Sequence, residues 1–212
     1  MQPTMQASIF TPAALMLAAL LLCSSCSGAS KVQEDSQPGT SQLPARSASE
    51  QSADPALLTA AQKARESFAD GAPSLDALMD EFVRALSQND TEALTRLRVS
   101  KAEYVDLIVP GTVPVGTPPR NVSQSPKEFF WTMLDTKSRY FADNLIKNFG
   151  GRTYTHHELK LSRPMQEYAW YKAHGEVRME LAGTDDVTYH VLTGWVAEVD
   201  GKYKFIGYEF ND

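Results

Sequence analysis

Apolar residues recur at helical spacing through the first half of this chain and at strand spacing through the second. After Ser74, the residues Leu75, Leu78, Met79, Phe82 and Leu86 follow the i, i+3, i+4 rhythm of a helix with one buried stripe, and Ser74 can cap it. Asn89-Asp90 breaks that helix and a shorter one through Leu94 and Leu97 follows. Ser100-Lys101-Ala102-Glu103 has the form of a capping box, opening a third helix through Tyr104 and Ile108. Ser125-Pro126-Lys127-Glu128 combines an N-cap, a first-turn proline and an N3 glutamate, which predicts a long helix from there to about Asn148. Its stripe is Phe130, Leu134, Ser138, Phe141, Leu145 and Phe149, and Gly150-Gly151 stops it. Upstream, Asp54-Pro55 starts a possible short helix with Leu57, Ala61, Ala64 and Phe68 on one side.

The pattern then switches to period two. Strands are expected near Arg152 to Leu161, Gln166 to Leu181, Val187 to Val199 and Lys202 to Phe210. Asp200-Gly201 is a hairpin signal that places Val199 opposite Lys202, and therefore Trp195 opposite Ile206 and Val191 opposite Phe210. One sheet face should then carry Leu159, Tyr171, Val177, Met179, Leu181, Val191, Trp195, Ile206 and Phe210 over the long helix. The other face collects Tyr168, Trp170, Leu192, Val196 and Phe205 among Lys160, Lys172, Glu176, Arg178 and Glu180. A solvent-facing sheet surface is usually polar, so this mixed patch calls for a cover. Two covers are open: a homodimer or partner interface centred on Trp170 and Phe205, or the Pro55 to Phe68 helix folding back.

Short helices, one long helix and a meander of long antiparallel strands make the fold class α+β. From about Ser74 to Asp212 this order, with the hairpin Gly194-Trp195-Val196 and Lys204-Phe205-Ile206-Gly207-Tyr208-Glu209-Phe210, resembles the NTF2-like (SnoaL-like) cone-shaped α+β family. The alternative is a cystatin-like helix on a sheet, disfavoured by the three helical segments before the long one. The resemblance implies a sheet curled around the long helix, with a pocket at the wide end that is either catalytic or a simple binding cavity. It places Ser138, Phe141, His157, Tyr171, Trp195 and Ile206 in pocket or core positions.

Enzymes of that family put an Asp or His base and a Tyr donor inside the cone. His157 shares the apolar parity of Leu159, and a turn at Ser162-Arg163-Pro164 would bring it opposite Tyr171, making those two the candidate acid and base of an isomerase, dehydratase or cyclase. No inward carboxylate is evident to orient the histidine, which favours a non-catalytic ligand-binding or assembly domain. His156-His157-Glu158 alternates faces and lacks a second histidine four residues on, so no metal site is expected. Asp185-Asp186 reads as a solvated turn, and Gly150-Gly151-Arg152 lacks the lysine and spacing of a phosphate loop. No cofactor motif is present. The proline-rich stretch Pro110 to Gln124 is either a lid over the pocket or a stiff surface excursion.

The N-terminus supplies an address. The apolar run Ala13 to Leu22 is too short for a spanning helix, which needs roughly 20 apolar residues, and small residues follow it as in an export signal. The segment resembles a bacterial lipoprotein signal whose acylated cysteine is Cys26, with Cys23 the poorer fit because Leu22 precedes it. Secretion with cleavage after Ala29 and a plain membrane anchor are the alternatives. Those two cysteines are the only ones, so the folded part has no disulfide, thiolate nucleophile or cysteine metal site. Ser27 to about Ala53 is poor in large apolar residues and reads as a flexible tether. Residues 1–25 are thus signal, 26–53 tether, 54–70 a possible helix and 74–212 the domain. The net charge of −6 argues against nucleic acid as a partner. The expected partners are the membrane through the lipid, a second copy or envelope protein, and a small apolar ligand.

Overall fold

The helices expected from the apolar stripes form, although Phe130, expected in the stripe of the long helix, is exposed, and several of their starts are set by the residues that read as caps. The computed structural model describes residues 54–184 and 187–209. The run containing Cys23 and Cys26, the tether, Asp185-Asp186 and Phe210 lie outside the described residues. Helix α1 (Pro55–Phe68) starts where Asp54 accepts a hydrogen bond from the Ala56 amide. Ser74 caps α2 (Leu75–Ser87) through the Ala77 amide, and Asp90 caps α3 (Thr91–Arg96) through the Ala93 amide. The capping box at Ser100 and Glu103 opens α4 (Lys101–Glu103). That helix widens into a π segment (Tyr104–Ile108) and ends in α5 (Val109–Gly111), whose Pro110 has no amide to donate.

The long helix α6 runs Gln124–Phe149, beginning before Pro126 with Ser123 as N-cap and no side-chain cap bond. Glu128 does not reach back to the backbone as a capping glutamate would. Its carboxylate takes hydrogen bonds from the Lys101 ammonium at 2.6 Å and the Gln124 side-chain Nε2 at 2.7 Å, which hold it below its usual range.

The antiparallel sheet is ordered β1-β3-β4-β5 (Tyr154–Leu161, Lys172–Gly183, Thr188–Val199, Lys202–Phe205), with the short β2 (Gln166–Glu167) pairing the start of β3. Helices pack against this curled half-barrel, so the class is α+β. Val199 pairs with Lys202, and the Ile206 amide donates to the Trp195 carbonyl, in agreement with the expected hairpin register.

Which face each residue occupies is another matter. Between His174 and Arg178 the β3–β4 ladder slips by one residue in each strand, with Glu176 at φ 45° and Gly194 at φ +91°. The two slips cancel in register but invert the in-and-out parity. Val177, Met179, Leu181 and Val191 therefore share a core with Val196 and Phe205, together with Leu78, Met79, Phe82 and Leu86 of α2, and Ala142 and Leu145 of α6. Tyr171, Trp195 and Ile206, expected on that same face, belong to a second cluster with Ala64 and Phe68 of α1, Leu107, Ala173, Ala197 and Val199. Trp195 consequently does not pack under the long helix. Val196 and Phe205, expected on an interface, are fully buried. The first core is shared by α2 and α6, and α1 is the cover for the second.

Candidate functional site

A cavity of about 400 Å³ opens between α2, α3, the Asp70–Ala72 link and the start of β5. The link is held close because Ala72 and Tyr203 exchange backbone hydrogen bonds of 3.1 and 2.9 Å. A Cβ on Gly71 would lie 3.1 Å from both the Tyr203 and the Phe68 carbonyl oxygens, so only glycine fits without displacing backbone. Helix α2 and its C-cap contribute Leu78, Glu81, Arg84, Ala85 and Gln88, where 78, 81, 85 and 88 and the pairs 81/84 and 84/88 stand three or four apart on one helical face. From α3 and its cap come Asp90, Ala93, Arg96 and Leu97.

Lys204 lies in the wall with its side chain 6% exposed. Its Nζ sits 2.9 Å from Glu103 Oε1 and 5.3 Å from the centre of the Phe68 ring, and it also meets the Asp70 carboxylate. Glu103, 1% exposed, takes further hydrogen bonds from the Ser100 amide and the Ser67 hydroxyl. This knot ties α1, α4 and β5 together, so the lysine is committed to the fold. Asp90 and Arg96 pair at 3.7 Å. Among the described residues Glu81 and Arg84 have neither an ion pair nor a side-chain hydrogen bond.

The residues singled out from sequence are scattered around this geometry. His157 pairs across from Leu181, and its Nε2 lies 3.1 Å from the Asp80 carboxylate on the outer flank of α2. Tyr171 is buried in the second core, its hydroxyl 2.9 Å from Thr112 Oγ1 and its ring stacked on Tyr168, and burial pushes the phenol far up. The two were expected opposite each other and are not. Leu161 pairs with Val177 instead, and residues 162–171 form a long connection rather than a tight turn. Ser138 is fully buried, accepting the Tyr208 amide at 3.3 Å, and a Cβ on Gly207 would come within 2.7 Å of its oxygen. Close packing explains it. Phe141 is half-buried against the first core.

Of the expected interface, Tyr168 and Trp170 are half-buried against the second core, and Leu192 is half-buried beside Lys160, Arg178, Glu180 and His190. The stretch after Pro110 is pinned elsewhere: Pro114 bridges Tyr168 and the Ala169 amide donates to the Val113 carbonyl. None of its residues lines the cavity.

Two groupings were missed by the sequence. The Lys204 knot was legible in principle, because a lysine at the same parity as Ile206 needs a buried acid. The other is His174, whose Nε2 is 2.8 Å from Glu198 Oε2, with Lys172 Nζ 3.2 Å from the other oxygen. Burial pushes Glu198 up, but these hydrogen bonds and charges outweigh it and leave the carboxyl below its usual range. The partners lie on neighbouring strands, where sequence spacing gives no cue.

Among the described residues no group of three or more His, Cys, Asp or Glu could hold a metal ion, and no helix is long and apolar enough to cross a membrane. No family model, curated protein or solved structure matches the chain.

Proposed function

We propose that this is an exported, lipid-anchored envelope protein whose folded part is an NTF2-like domain that binds a small molecule without transforming it. The cavity between α2, α3 and β5 carries the reading: it is built on regular elements and its lower rim is tied by the Lys204 knot, as a preformed binding site requires. The helix order and the curled sheet support the family reading. The enzymatic alternative loses its acid and base pair, since His157 and Tyr171 lie in different parts of the sheet. The small residues around Cys26 support the anchor.

Self-association belongs to the same reading but on another surface. With Val196 and Phe205 in the core, exposed apolar side chains gather on α6, where Phe129, Phe130, Met133 and Tyr140 are all well exposed. Intact-mass measurement of membrane-extracted protein tests the address. A diacyl or triacyl adduct on a chain beginning at Cys26 is expected, and an unmodified chain beginning at Ser30 in the soluble fraction defeats it.

A further inference from the structure

We infer that the cavity takes a small zwitterion, an amino acid or short peptide with free ammonium and carboxylate groups, with Arg84 meeting the carboxylate and Glu81 the ammonium. This rests on reading the cavity as a binding site. Six charged side chains line it, three acidic and three basic: Asp70, Glu81, Asp90, Arg84, Arg96 and Lys204. Four are already paired, Lys204 with Asp70 and Arg96 with Asp90. The remaining two have opposite sign and are both without a partner among the described residues.

They stand three residues apart on α2, which places their Cβ atoms roughly 5–6 Å apart on one face. A ligand that carries a single negative charge would satisfy Arg84 and be repelled by Glu81, and a single positive charge would reverse the problem. A neutral ligand would engage neither charge, although Glu81 is half-buried and Arg84 exposed at the cavity and both are open to a ligand. A molecule with both charges answers both, and its carboxylate matches the planar fork of the guanidinium. The volume, about 400 Å³, lies at the small end of ligand cavities. That restricts the ligand to single amino acids and short peptides.

The test uses the full chain, with glycine and glycylglycine as probes and acetate and methylammonium as single-charge controls, followed by amide NMR shifts and calorimetry. Saturable binding of a zwitterion is expected, with shifts confined to Asp70–Ala72 and the Glu81–Gln88 turn. Arg84→Gln and Glu81→Gln should each weaken it at least tenfold. Both side chains lie outside the cores, and unchanged melting temperatures confirm that the variants fold. Acetate binding as well as the zwitterions, with Glu81→Gln neutral, overturns the zwitterion while leaving a binding module. Absence of any shift at these residues with every probe overturns both.

Discussion

Phe82 sits where helix meets sheet, its ring centre 5.5 Å from Phe205 and 6.0 Å from Tyr208, with no exposed surface. Removing it leaves a cavity between the Phe205 and Tyr208 rings. Phe82→Ala should cost about 3–5 kcal/mol in denaturant unfolding, as buried aromatic truncations do. Glu198 gives a pH signature. Its carboxyl titrates below the unfolded value of about 4.3, so its contribution to stability is full above that value and is lost as pH falls through the lower folded value. Melting temperatures measured between about pH 5 and pH 3 should therefore fall less steeply in Glu198→Gln than in the parent chain. At this scale the apolar stripe of α2 and the caps at Asp54, Ser74 and Ser100 were legible, because each depends on neighbours within four residues, whereas Asp90 was read only as a breaker and also caps α3. The partners of Lys204, His157 and Glu198 were not, since ion pairs across strands and helices have no fixed sequence spacing.

Among the elements, the β3–β4 hairpin shows why a register can be right while the faces are wrong. Counting from Asp200-Gly201 gave the pairing of Val199 with Lys202 and of Trp195 with Ile206, and period two then assigned every face. That extrapolation assumes unbroken ladders. Gly194 and Glu176 interrupt both, and a positive φ at one glycine and one glutamate has no periodic signature. Gly194 is held at φ +91°, and a Cβ there would lie 2.6 Å from the Gly207 carbonyl oxygen. Gly116, at φ +79°, has open space around the same position. Both alanine substitutions strain the backbone by about 1 kcal/mol or more, but only the first also drives into another strand. Gly194→Ala should lower the denaturation midpoint clearly more than Gly116→Ala, and equal losses would mean that the bulge is not rigid.

For the whole molecule, the decisive piece is α1. Leu57, Ala61, Ala64 and Phe68 face inward and are nearly or fully buried, and Phe68 lies beneath the ammonium of Lys204. A chain shortened to begin at Ala72 loses that layer and leaves Ala173, Ala197 and Val199 uncovered. It should melt at a markedly lower temperature and aggregate on heating, whereas an unchanged melting temperature would show that α1 is dispensable. The α+β class and the order of elements were readable from the change of period. The second core was not, because Ala173, Ala197 and Val199 look like the outward residues of a one-sided sheet until the helix that covers them is placed.

The paired slips in β3 and β4 also divide the sheet into halves that evolution must treat differently. Beyond the slip, toward the Gly183 end, only one face is buried, and Lys160, Arg178, Glu180 and His190 occupy the other. Before it, Val196 and Phe205 press on one core while Ala197, Val199 and Ala173 press on the other. A saturation mutagenesis scan read along β4 should accordingly show charged residues tolerated at every second position up to Leu192. From Trp195 to Ala197 the tolerance should vanish at consecutive positions, as in a strand buried on both sides, with Glu198 beyond them kept as a charge by Lys172 and His174.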